Sequence, residues 1–337
     1  MPARSALALT LLLAAGLAGY AQDQPRNVVV NSSLEDPVAG TGLPEGWWPF
    51  ADPPDSYRIA VVAGGRTGDK ALLVEGDGQV GGFTTTRVPV EPGKRYLARG
   101  WVKIEGDPEA KATVQVGFSD ADGGYLGSTW LGNVSPAPGR WQFISVPAHA
   151  DDVAGAASAC AAVSVIGKAK VWFDDLELVV ADGPVPGDNL ITNGNVEDVV
   201  EGAPVYWIPF TEPGAVATLT AGEDAPEEGA HCLCLKGDAQ YIVGLGETYA
   251  IDPAKTYTLR GFVRAKAGDA LLQIEYCMDE QHLGNTESAH VTRDEWEERS
   301  VTTDFASFPD ATHFRVCVAA ATGAVEAYFD DLRLVEE

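Results

Sequence analysis

The chain has 337 residues, a formal net charge of -26 at pH 7, 45% hydrophobic residues, 37 Gly, 21 Pro and two Met. So acidic a balance, with no cluster of Lys and Arg, excludes nucleic-acid backbones and anionic membrane surfaces as partners, and the apolar content excludes a disordered acidic tail. A neutral or cationic partner suits a turn-rich globular chain of this kind.

Residues 1–21 read as a secretory signal peptide: Arg4, an apolar run from Ala6 to Leu17, then Gly19 and Ala21 at the minus-three and minus-one positions of a cut. That apolar run is shorter than a membrane span needs, and no later one is long enough, so no membrane insertion is expected. The expected location is secreted, whether extracellular, periplasmic or at the cell surface. Period-two alternation of apolar residues, in short runs bounded by Gly, Pro, Asp and Asn, predicts strands over 58–62, 71–74, 96–104, 113–118, 142–146, 163–166 and 171–179. Between them, Asp120-Ala-Asp-Gly-Gly124 spells the start of a calcium loop but lacks the acid at loop position twelve, and reads as a hairpin turn. Residues 181–188, with Pro184 and Pro186, read as a semi-stiff linker. Beyond it strands recur over 232–235, 257–263, 271–278, 314–318 and 327–335, with no helical-period stretch of comparable length.

The recurrence extends to words. Phe173-Asp174-Asp175-Leu176 returns as Phe329-Asp330-Asp331-Leu332, and Asn27, Asn31, Glu35 and Asp36 have the spacing of Asn189, Asn193, Glu197 and Asp198. Gly76-Asp77, Arg99-Gly100 and Gln115 likewise match Gly237-Asp238, Arg260-Gly261 and Gln273. The chain is therefore read as two copies, 22–180 and 189–337, each of ordinary domain size and each an all-β sandwich of eight or nine short strands. Five cysteines remain after the signal: Cys160, Cys232, Cys234, Cys277 and Cys317. Cys232 and Cys234 read as core fillers ahead of a bridge to Cys277 or Cys317, and a metal site ranks below both because no His or Cys follows at zinc-finger spacing.

The order of elements resembles a known family. An opening Asn-x-x-x-Asn-x-x-x-Glu-Asp, a Trp after a Gly/Pro-rich loop, Tyr96-Leu-Ala-Arg-Gly-Trp-Val102, Arg140-Trp141-Gln142 and a closing Phe-Asp-Asp-Leu resemble the carbohydrate-binding modules of families four, nine and twenty-two, within the galactose-binding-domain-like superfamily. The resemblance spans essentially all of the chain past the signal peptide, as two copies. It implies two tandem β-jelly-roll sandwich domains, commonly a structural calcium ion in each, in many members an aromatic-lined sugar cleft, and no catalysis.

The acids support calcium independently: if the first and last strands of a copy adjoin, Glu35 and Asp36 approach Asp174 and Asp175, and a cation relieves the repulsion. Period-two parity puts Trp172, Asp174, Leu176 and Leu178 on one, core-facing side, so the expected ligands are Glu35 with Asp174 and Glu197 with Asp330. The alternative for these acids is a set of solvated strand ends.

A sugar site needs exposed aromatic platforms beside hydrogen-bonding side chains. Trp47/Trp207, Trp101/Phe262, Trp141/Trp296 and Trp172/Tyr328 pair between copies and are expected to be core or fold-closing residues. Trp48, opposite Ile208, and Trp130, opposite an acidic stretch near Glu287, have no aromatic counterpart and are the expected carbohydrate-binding platforms. Tyr57, Tyr125 and Gln115 join them in the first copy, and Tyr206, Tyr241 and Gln273 are the candidates in the second. Taken singly, each is equally an ordinary partly buried aromatic or surface amide. No nucleophile elbow, His-Glu-x-x-His, P-loop or dinucleotide fingerprint occurs, and the five His have no metal-triad spacing, so no enzyme is expected. The leading function is a secreted, non-catalytic polysaccharide-binding protein with a structural calcium ion in each copy. The alternative is a structural or adhesive surface protein whose sandwiches serve as spacers, and the accessibility of Trp48 and Trp130 discriminates the two.

Overall fold

The computed structural model describes residues 26–36, 42–129, 134, 139–183, 189–211, 216–226, 229–278 and 281–337. In the first copy the strands are β1 (Arg26–Asn27), β2 (Trp47–Asp52), β3 (Tyr57–Ala63), β4 (Lys70–Gly76), β5 (Val80–Thr85), β6 (Val88–Pro89), β7 (Lys94–Gly106), β8 (Lys111–Ser119), β9 (Tyr125–Ser128), β10 (Gln142–His149), β11 (Ser158–Ile166) and β12 (Ala169–Asp182). They form two antiparallel sheets. Sheet I has the order β10-β7-β12-β4-β3, with β1 beside β12, and sheet II the order β2-β5-β11-β8-β9, with β6 beside β11. Alternation explains why the layers meet: Tyr96, Ala98, Val102 and Ile104 of β7 and Ala112, Val114, Val116 and Phe118 of β8 are all buried in one cluster. Each large side chain so buried contributes about 1.5–3 kcal/mol.

The second copy has β13 (Val199–Val200), β14 (Ala203–Pro204), β15 (Ile208–Thr211), β16 (Val216–Gly222), β17 (Cys232–Ala250), β18 (Tyr257–Met278), β19 (Gln281–Glu287), β20 (Glu297–Thr302) and β21 (His313–Glu336). Here β17, β18 and β21 each run through both layers. Early β17 pairs with β16 and late β17 with β15, early β18 pairs with β20 and late β18 with β19. The orders β20-β18-β21-β17-β16 and β15-β17-β21-β18-β19 therefore reproduce sheets I and II of the first copy strand for strand. The long strands change layer at Gly268 (φ 74°) and Gly323 (φ 89°), where a left-handed backbone favours glycine. The two β-sandwiches read from the sequence are present, and every predicted strand lies inside an observed one.

The repeated words have structural work. Asn27 Oδ1 accepts the N–H groups of Val29 (3.0 Å) and Leu178 (3.2 Å), and Asn189 Oδ1 those of Ile191 (3.0 Å) and Leu334 (2.9 Å), tying each opening to its closing strand. Asn31 and Asn193, both at φ 52°, close five-residue turns onto Asp36 and Asp198. Asn tolerates this backbone better than most residues.

Two expectations need correction. The parity argument for β12 fails because its pairing with β7 shifts between Asp174 and Glu177, at a bulge where Asp175 has φ 50°. The bulge inverts the alternation, so Leu176 and Leu178 join Val171 and Phe173 in the core while Trp172 lies on the outer side. Of the paired aromatics, only Trp47 and Trp207 are core among the tryptophans. The others lie on the outside of sheet I, half-buried except for Tyr328, which is buried, and cations lie over most of them: Lys103 lies 4.3 Å from the Trp172 ring and 5.0 Å from Trp141, and Arg264 lies 4.4 Å from Tyr328 and 5.0 Å from Trp296. Arg66 covers Trp101 at 3.7 Å. All five cysteines are buried and unpaired. Cys232 and Cys234, expected as core fillers, pack instead with Tyr328 and Trp296 in a small cluster apart from the sandwich core.

Candidate functional site

The outer face of sheet II in the first copy follows from its pairing register. One row runs Trp48, Thr84, Ala162, Gln115 and a second Phe50, Gly82, Ser164, Thr113. Trp48 is 54% exposed on one edge strand and Tyr125 64% exposed on the other. Between these rings lies a neutral, hydrogen-bonding floor. Gln115 Oε1 accepts from Ser128 Oγ (3.2 Å) and Ser164 Oγ (3.4 Å), and Tyr125 OH donates to Ser128 Oγ (2.7 Å). Both partners are hydroxyls, which can donate or accept, and as placed Gln115 Nε2 is buried without a hydrogen-bond partner. Gln115 is only 3% exposed, Ser164 1% and Thr113 0%, so these three lie beneath the accessible part of the floor. The floor also needs Gly82: a Cβ there would stand 1.8 Å from the Val163 carbonyl oxygen and 3.0 Å from the Phe50 ring.

The remaining candidates divide. Trp130 lies outside the described residues. Tyr57 is 7% exposed, faces the core and donates its hydroxyl to the carbonyls of Gly78 (3.0 Å) and Gly167 (2.8 Å), so it is a buried brace rather than a platform. In the second copy Tyr206 is 7% exposed and packs with Leu97 and Val179 of the first copy, and Gln273 is buried, its Oε1 accepting from the Tyr241 hydroxyl. None of these three is available to a sugar as placed. Sequence reading missed Phe50, Thr84, Thr113, Ser128 and Ser164. Thr113 shares Gln115's parity and was legible; the others need the strand register.

At the acidic edge, the carboxylates act on one loop. Asp174 Oδ2 accepts the N–H groups of Arg66 (2.6 Å) and Thr67 (3.1 Å), its Oδ1 accepts that of Asp175 (2.8 Å), and Glu35 Oε1 accepts those of Asp69 and Lys70, both 3.0 Å. In the second copy Glu197 Oε1 accepts from Ala230 (2.7 Å) and His231 (2.9 Å), and Asp330 Oδ1 from Asp331 (2.7 Å). Burial pushes the Asp174 carboxyl above its ordinary range, against the pull of its N–H donors. These N–H groups point their positive ends at the oxygens a cation would use. Among the described residues no group of three or more His, Cys, Asp or Glu gathers as a metal site. As arranged, these carboxylates clamp the loop through its N–H groups.

No family model matches the chain, and no curated protein matches it. Among solved structures, it is similar to the CBM22-1-CBM22-2 tandem domain of Paenibacillus barcinonensis Xyn10C, with 12% identity and a TM-score of 0.36, over 94% of this chain and 100% of that one. It is also similar to TmCBM61 in complex with β-1,4-galactotriose, with 21% identity and a TM-score of 0.31, over 45% of this chain and 97% of that one. A third is the C-terminal family 22 carbohydrate-binding module of Clostridium thermocellum Xyn10B, with 13% identity and a TM-score of 0.33, over 46% and 96%. A match of a different kind is the enzymatically active domain of bacteriophage CBA120 tailspike protein 4, with 12% identity and a TM-score of 0.36, over 44% of this chain and 21% of that one.

Proposed function

We propose that the protein is an exported, non-catalytic polysaccharide-binding protein whose glycan site is the outer face of sheet II in the first copy. The carrying observation is the uncharged polar floor flanked by the exposed rings of Trp48 and Tyr125. Sugar C–H faces stack on such rings while hydroxyls exchange hydrogen bonds with Thr84 and Ser128, the half-buried hydroxyls of the floor, which the buried Gln115, Ser164 and Thr113 support from beneath. None of the floor positions named is charged, which selects a neutral glycan over a uronic one. With no acid, base or nucleophile among those positions, the face binds without chemistry. Isothermal titration or a glycan array with the chain past residue 21 tests this: binding to a neutral glycan, weakened by Trp48→Ala and by Gln115→Ala, is expected. Absence of binding to every glycan sinks the reading and favours spacer sandwiches.

We further infer that the acidic edge holds its loop through N–H clamps without a calcium ion. An unchanged melting midpoint after chelation is expected, and a fall in the midpoint, restored by calcium, would reinstate the ion. Among the described residues no helix is long and apolar enough to cross a membrane.

A further inference from the structure

The second copy has a face equivalent to the glycan floor, and its fate can be read position by position. Register places Ile208 where the first copy has Trp48, Leu245 for Thr84, Cys317 for Ala162 and Gln273 for Gln115; in the next row, Phe210 stands for Phe50, Val243 for Gly82, Ala319 for Ser164 and Leu271 for Thr113. Hydroxyls and a glycine have become aliphatic. Ile208, Val243, Leu245, Leu271, Cys317 and Ala319 are all buried, yet they do not belong to the core of their own sandwich, which holds their alternating neighbours Trp207, Ile242, Leu272, Val316 and Val318. They belong to the apolar cluster of the first copy. Strand β10 of the first copy lies against β15 and β17 of the second, bringing the outer face of sheet I onto this surface.

Around that contact further apolar, hydrogen-bonding and charged groups of the two copies meet. Val205 and Tyr206 pack with Leu97 and Val179, and the Tyr206 N–H donates to Ser145 Oγ (2.7 Å). Glu247, 1% exposed, accepts from Thr192 N (2.7 Å), Thr192 Oγ1 (3.0 Å) and Tyr249 OH (3.1 Å). Its Oε1 also stands 3.6 Å from His149 Nε2 and 3.8 Å from Arg95 Nε, ionic contacts across the junction that are too long for hydrogen bonds. Arg95 reaches further, donating to the Leu190 carbonyl at 2.9 Å. A second bridge joins Arg66 to Glu201.

We propose that the second sandwich has given up its sheet II face as a ligand site and uses it as an intramolecular docking face, so that the chain is monovalent for glycan and the two sandwiches unfold as one body. This rests on the first-copy reading of the glycan site for its valence, and on the junction alone for its cooperativity. Two sites on a flexible linker would give avidity toward a polymer; one site on a rigid pair gives a fixed orientation instead.

Both halves are measurable on the intact chain past residue 21. Titration with a glycan oligosaccharide that binds should give one equivalent per chain, and Trp48→Ala should weaken that one equivalent roughly thirtyfold, leaving no site of wild-type affinity. Two equivalents, or half the capacity surviving at wild-type affinity in Trp48→Ala, would overturn monovalence. Calorimetric unfolding should show one transition for the wild type, splitting into two in Leu97→Asp and in the gentler Glu247→Gln. Two transitions in the wild type would overturn the docking. If no glycan binds, the functional reading falls, while the calorimetry still decides whether the sandwiches are one body.

Discussion

The same two faces in the two copies have opposite chemistry, and the opposition is reciprocal. Sheet II is polar and flanked by open rings in the first copy but aliphatic in the second, where the first copy covers it. Sheet I reverses this. The first copy presents Leu97, Phe143, Pro147 and Val179 to the junction, and register assigns to the second copy Thr258, Glu298, Thr302 and Val335 at those positions. Glu298 and Thr302 are exposed. At these matched positions sheet I is apolar in the first copy, where the second covers it, and carries Thr258, Glu298 and Thr302 beside Val335 in the second. The fold dictates neither character; the neighbour does.

The sharpest way to break the comparison is to leave one side of the buried charge group unpaired. Glu247→Ala strands Arg95, 6% exposed, and should cost about 3–5 kcal/mol in urea unfolding. A cost no larger than that of an exposed surface substitution would show that the junction is open in solution. Next, Leu97→Ala should destabilise by about 2–5 kcal/mol, whereas Thr258→Ala at the matching position of the second copy should stay within about 0.5 kcal/mol. Equal effects would deny the asymmetry of sheet I. For sheet II, Trp48→Ala should weaken glycan binding by about 2 kcal/mol, roughly thirtyfold, with the melting midpoint kept; Phe210→Ala, though Phe210 is 52% exposed, should leave binding unchanged.

Much of this architecture was legible in the chain. The paired phrases counted the copies, and period two found the central strands, because a strand buried on one face must alternate. What stayed hidden was whatever depends on a partner outside the local segment. Parity along 171–179 misled because a single left-handed residue, Asp175, inverts the alternation, and an Asp does not announce that conformation. Trp101, Trp141 and Trp172 look like core residues until Lys103 and Arg66 are seen to lie over their rings. Tyr206 and Gln273 matched a binding pattern by residue type, but both are buried, Tyr206 in the junction and Gln273 against the Tyr241 hydroxyl. Subtracting one copy from the other located Trp48 correctly as an exposed ring, since Ile208 opposite it faces a protein rather than solvent. The same subtraction could not find Ser164, which becomes part of the floor only through its register with Thr113.

The mildest perturbation is pH, and it acts on the junction from both ends. Burial alone would raise the Glu247 carboxyl, but contact with His149 and the charges of Arg95 and His149, with the Thr192 N–H, hold it below its ordinary value of 4.5. A depressed carboxylate contributes stability that is complete above its unfolded value and lost as pH falls through the folded one. At the alkaline end, burial and the nearby Glu247 charge push the Tyr206 hydroxyl from 10.0 up to about 12. A raised group contributes stability that is complete below pH 10 and lost as pH rises through about 12. Burial also raises other tyrosines, Tyr241 and Tyr328 among them, so the readout is the difference in ultraviolet titration between the wild type and Tyr206→Phe: it should show one hydroxyl ionising late, together with loss of the single unfolding transition. A difference that ionises at the ordinary tyrosine value would show that Tyr206 is not sealed between the sandwiches.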